Sequence, residues 1–105
     1  MMSRHRINFM GINKAALAAL PSILHKLLPG GLIIGNEYAA RNPRRADHNI
    51  GSFKVNLRSG KWADFAVSGA AGGDVISLVA YLNDCSQSAA ARQLARLLNI
   101  EVSHG

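Results

Sequence analysis

Asn42-Pro43-Arg44-Arg45-Ala46-Asp47, then Gly51-Ser52-Phe53-Lys54-Val55-Asn56-Leu57 and Gly60-Lys61-Trp62-Ala63-Asp64-Phe65-Ala66, closing on Gly72-Gly73-Asp74, is the stretch that decides the fold. Within it Phe53, Val55 and Leu57 alternate with Lys54, Asn56 and Arg58, the pattern of a strand with one buried face. Ser59-Gly60 supplies a turn, and Lys61 to Ala66 returns as the second arm of a hairpin. The loop length decides which side chains meet. A two-residue loop sets Leu57 opposite Trp62 and Val55 opposite Asp64, with Lys54, Arg58, Lys61 and Phe65 on the outer face. A longer loop exchanges the faces of Trp62 and Phe65. Both registers are open at this level. One of them turns Asp64 toward the core, where an ionised carboxylate needs a partner; Arg44, Arg45 or loop amides are the candidates.

Upstream, Leu32-Ile33-Ile34 through Glu37-Tyr38 reads as a first strand that runs into the loop of 42–50. Before it, Asn13 is a candidate N-cap, and Ala16, Leu17, Leu20, Leu24, Leu27 and Leu28 recur at helical spacing. Pro21 lacks an amide donor and clashes with the preceding turn, so a kink or two short helices is expected. Downstream, Asp74 is an N-cap for a helix carrying Val75, Ile76, Leu78, Val79 and Leu82. Asn83-Asp84 breaks it, and Ser86 or Ser88 caps a last helix with Ala90, Leu94, Leu97 and Leu98 inward. The expected order is α-β-β-β-α-α. That is an α+β domain: a small antiparallel sheet on a hairpin core, flanked by N- and C-terminal helices. Residues 1–12 form an N-terminal arm, 13–100 a single domain and 101–105 a tail.

Charge narrows the function. Twelve Lys and Arg stand against six acids, a formal +6. Arg41, Arg44, Arg45, Lys54, Arg58 and Lys61 fall within twenty-one residues, opposed there by Asp47 alone. Concentrated positive potential attracts polyanions, and the planar guanidinium donates two parallel hydrogen bonds to phosphate. An aromatic among the cations, Phe65 or Trp62 by register, adds a face for stacking unpaired bases.

Several chemistries find no support. The lone Cys85 rules out an internal disulfide and a multi-cysteine zinc site. His5, His25, His48 and His104 are scattered without ligand spacing. Gly72-Gly73-Asp74 lacks the Lys-Ser/Thr pair of a phosphate loop, and its acid would repel phosphate at a helix start. The six acids show no cluster of the kind two-metal phosphoryl transfer needs. Neither a catalytic role nor a cofactor is expected. No run reaches the ~20 apolar residues of a membrane span, and no signal peptide is evident, so a cytoplasmic protein is expected.

The quoted stretch resembles the zinc-ribbon domain at the front of bacterial and phage DNA primases. Asn42-Pro43-Arg44-Arg45 stands in place of its Cys-Pro-x-His element, and Ser52-Phe53-Lys54-Val55 matches its strand. Gly60-Lys61-Trp62-Ala63-Asp64-Phe65 matches the returning strand, and Gly69 through Ile76 the turn into an apolar helix. The metal ligands are absent: Asn42 and Arg45 stand where a Cys and a His would, and Phe65 or a neighbour with Ser68 replaces the Cys pair. The likeness is greatest to the zinc-free form in phage- and plasmid-type primases that carry a Toprim domain. It implies a non-catalytic module that binds single-stranded DNA or a primer–template junction, beside a primase or helicase in cis or in trans. Arg41, Arg44, Arg45, Lys54, Arg58 and Lys61 would contact phosphate, with Trp62 or Phe65 as the stacking platform. The alternative is a protein-interaction or dimerisation module that docks through its Leu-rich first or Ala-rich last helix.

Overall fold

The computed structural model describes residues 6–44 and 50–103. Arg45, Asp47, His48, His5 and His104 therefore lie outside the described residues. The chain runs α1 (Phe9–Ala18), α2 (Leu20–Leu27), β1 (Leu32–Ile34), β2 (Glu37–Ala40), β3 (Phe53–Asn56), β4 (Trp62–Asp64), β5 (Ala71–Gly72), α3 (Val75–Asn83) and α4 (Gln87–Leu98). The five strands form one antiparallel sheet in sequence order, with helices packed on one face. The α+β class is as read from the pattern.

Three details differ from the expected order. α1 starts at Phe9 with Asn8 as its cap, the Asn8 side chain accepting from the Gly11 amide. Asn13 sits inside that helix and reaches across to α3, where its Oδ1 accepts from the Ile76 amide at 2.9 Å. Leu32–Tyr38 is two strands, not one, because Gly35 (φ 62°) and Asn36 make a two-residue turn that pairs Ile34 with Glu37. Ala71–Gly72 adds a fifth, short strand beside β4. At Pro21 the chain does divide into two helices, the proline taking a first-turn position of α2 where no amide is needed.

The hairpin register settles the two aromatics. Val55 pairs with Trp62 and Phe53 with Asp64, so the connection spans Leu57 to Lys61. This slips the pairing by two residues from the two-residue-loop expectation, and a slip of two preserves face parity. Trp62 therefore points inward and Phe65 outward.

The inner face carries Tyr38, Ala40, Phe53, Val55 and Trp62 against Ile12, Ala16, Leu20, Leu24, Ile76, Leu78 and Leu94 of the helices. Each large buried side chain contributes roughly 1.5–3 kcal/mol, so this layer supplies most of the stabilisation. Phe53, Trp62 and Tyr81 form a contiguous aromatic group, with ring centroids 4.9–6.1 Å apart. Trp62 Nε1 donates to Ser77 Oγ at 2.9 Å, satisfying the one polar atom of the indole. Most of the apolar surface of α1, α2 and α4 is spent in this core, while Phe9 and Met10 of α1 and Leu97 of α4 stay exposed.

Candidate nucleic-acid interface

The outer face of the sheet is left open, and it gathers side chains that are far apart in sequence. β2 contributes Glu37, β3 Lys54 and Asn56, and β4 Ala63, because alternate residues of paired strands share one side. Together with Ser59, Lys61, Trp62 and Phe65 they line an open groove of about 210 Å³. Phe65 follows β4 directly; its amide donates to Ser52 O at 2.9 Å, and its side chain is 74% exposed.

Lys54 sits in the middle. Its Nζ lies 6.0 Å from the Phe65 ring centroid and 3.9 Å from Glu37 Oε1. The second distance is too long for a hydrogen bond, and a half-exposed pair of this kind is worth ~0–1 kcal/mol. Arg58 and Lys61, in the β3–β4 loop, are exposed and make no ion pair among the described residues. Asn56 shapes this loop: its Oδ1 accepts from the Arg58 and Ser59 amides at 2.9 and 3.0 Å. Its Nδ2 faces no partner among the described residues.

The remaining cations lie elsewhere. Arg44 is on the helical side: its Nη1 donates to Tyr81 O at 3.0 Å, and the guanidinium lies 4.9 Å over the Tyr81 ring. Asp84 Oδ1 is 3.6 Å from Nη2. This places a cation at the C-terminus of α3, where carbonyls and the helix dipole favour one. Arg41 is exposed just beyond β2. Thus Lys54, Lys61 and Phe65 come together, Arg58 stands in the adjoining loop, and Arg44 does not join them. Trp62 supplies core packing rather than an open stacking face. Glu37 is the groove residue the sequence reading did not single out; only the pairing of Glu37 with Asn56 across β2 and β3 puts it there.

The place of the primase zinc site can be tested on its donors. Asn42 is buried and its Nδ2 donates to Asp64 Oδ2 at 2.8 Å and to Tyr81 Oη at 2.8 Å. Asp64 Oδ1 accepts from the Ala66 amide at 2.9 Å, the loop-amide pairing considered for it. An amide nitrogen is a donor, not a metal ligand, and no three His, Cys, Asp or Glu side chains converge among the described residues. Asn42 and Asp64 form a hydrogen-bonded node, and these residues do not fit a zinc ion.

No family model matches the chain, and no curated protein does. Among solved structures it is similar to the Aquifex aeolicus primase, a crystal structure of its zinc-binding and RNA polymerase domains, with a TM-score of 0.70 at 20% identity. The match covers 93% of this chain and 23% of that one. The fold is thus primase-like, and the chain spans about a quarter of its neighbour's length. Among the described residues no helix is long and apolar enough to cross a membrane.

Proposed function

We propose that this chain is a non-catalytic module of a primase-type system, of the metal-free kind found in phage- and plasmid-type Toprim primases. On this reading it binds single-stranded DNA or the primer–template junction on the outer face of its sheet. The observation that carries the proposal is the groove itself: exposed Phe65 beside Lys54 and Lys61, with Arg58 in the adjoining loop. The cations supply sequence-independent phosphate contacts, and the ring offers a face to an unpaired base. A primase or helicase partner, in cis or in trans, receives the held strand.

Titration of a labelled oligonucleotide across a salt series tests this. Three phosphate contacts to a single strand give a slope of log K against log salt near −2, and Lys61→Ala lowers its magnitude by ~0.7. No binding at low salt overturns the proposal.

A second reading, docking of a protein, has one observation in its favour. Leu32, Ile33 and Ile34 are all exposed on β1, an outer strand of the sheet with one unpaired edge. Ile33→Asn separates the two readings, since it weakens apolar edge docking without adding charge and leaves the oligonucleotide titration unchanged.

A further inference from the structure

A carboxylate does not belong in a groove that holds only phosphate, because it repels the ligand and cancels a neighbouring cation. Glu37 does both. It lines the groove opposite Asn56 and 3.9 Å from Lys54 Nζ, and its carboxylate accepts no hydrogen bond among the described residues. We propose that the groove reads one unpaired base and prefers guanine, with Glu37 as the specificity-determining residue. This rests on nucleic acid occupying the outer face.

The size is right for a base. About 210 Å³ falls below the ~300 Å³ at which drug-sized pockets begin, so a single planar ring system is the natural occupant. Phe65 forms one wall for stacking, and small Ala63 leaves the neighbouring surface low. The polar groups then set the pattern: a charged acceptor at Glu37, flanked by donors at Lys54 Nζ and Asn56 Nδ2. The orientation of the Asn56 amide is settled by its Oδ1, which already accepts from two backbone amides. Its nitrogen is therefore the atom left to donate.

Only guanine offers the complement on its pairing edge. Its N1–H and N2–H donate side by side to a carboxylate, while O6 accepts from a neighbouring ammonium or amide. Adenine and cytosine set a ring-nitrogen lone pair beside their amino group, so the carboxylate gains one hydrogen bond and meets one repulsion. Thymine flanks its single N–H with two carbonyl oxygens. Because the edge read is the pairing edge, the base must be unpaired, as single-stranded recognition requires.

The test uses the full chain and short labelled oligothymidylates carrying one central guanine, adenine, cytosine or hypoxanthine, followed by fluorescence anisotropy at low salt. Guanine is expected to bind tightest, by ~10-fold or more, the range of a bidentate base contact. Hypoxanthine, which lacks the 2-amino group, falls between guanine and the others, a result that needs no protein variant. Glu37→Gln brings all four to within about twofold while plain oligothymidylate still binds, because the Gln amide sets an NH2 donor where guanine needs a second acceptor. Equal affinity for all four in the unaltered protein, or a guanine preference that survives Glu37→Gln, overturns the inference and leaves the proposed function standing. Failure to bind any of them overturns both.

Discussion

The Asn42 amide donates to the Asp64 carboxylate at 2.8 Å, and the two residues are 1% and 2% exposed. Twenty-two positions apart in sequence, they tie the segment after β2 to the end of β4. Asn42 Oδ1 accepts from the Arg44 amide, so one side chain holds its own turn, the carboxylate and the Tyr81 hydroxyl together. A buried charge that loses a donor keeps its desolvation penalty. Asn42→Ala is therefore expected to lower the unfolding free energy by ~1.5–3 kcal/mol, measured by urea denaturation with an unchanged m-value. A loss below ~0.5 kcal/mol would show that the node is not a structural centre.

Phe65 contributes little to the core, being mostly exposed, so its removal separates binding from folding. Phe65→Ala is expected to weaken oligonucleotide affinity about 5- to 100-fold, the range of one base–aromatic stack, with little change in melting temperature. The single tryptophan gives a second readout. Trp62 is buried and hydrogen-bonded to Ser77, so its emission reports unfolding. Phe65→Trp, by contrast, adds an exposed indole whose emission falls as the strand binds.

Gly72 lies against the indole it faces. A Cβ there would come within 2.5 Å of Trp62 Nε1 and 2.4 Å of Ser77 Oγ, the two ends of one hydrogen bond. Both partners sit in well-packed surroundings and yield only by moving α3 or the ring. Gly72→Ala is expected to cost ~1–3 kcal/mol, the usual penalty of overpacking. Thermal melting followed by circular dichroism measures it; a neutral result would mean that β5 shifts freely.

Arg44 joins the helices to the segment after β2 rather than facing the groove. Its contacts with the end of α3 are partly exposed, and the ion pair to Asp84 counts for little. The contact with the Tyr81 ring is worth ~0.5–1 kcal/mol. Arg44→Ala is thus expected to lower stability by ~1 kcal/mol and to leave the salt slope of oligonucleotide binding unchanged. A slope that flattens by ~0.7 would place this guanidinium on the phosphate track after all.

What was readable in the sequence followed local rules. The alternation of Phe53 and Val55 with Lys54 and Asn56, the Asp74 cap and the division at Pro21 each depend on residues within a turn of one another. What was not readable depended on distant partners. Asn13 has the chemistry of a cap and is one, but for α3, sixty-three residues away. The register slipped because the Asn56 side chain organises a longer loop than Ser59-Gly60 suggests. Of the groove, the cations and Phe65 carried a signal in composition; Glu37 carried none until its strand partner was known. Gly35-Asn36 is itself a local turn signal, and it divides Leu32–Tyr38 into two strands.

Ile7 forms a lone antiparallel bridge with Ser103, and the Asn8 amide donates to Val102 O at 2.9 Å. The described chain thus enters and leaves through one doorway, the two backbones ~5 Å apart. A pull on both ends opens that clasp first, one bond at a time, before any load reaches the strands. Joining the ends with a few glycines and reopening the chain in the loop at Ser59 would leave the groove facing the same way. A unit held in this way hangs from a single point, and its open sheet face carries no load.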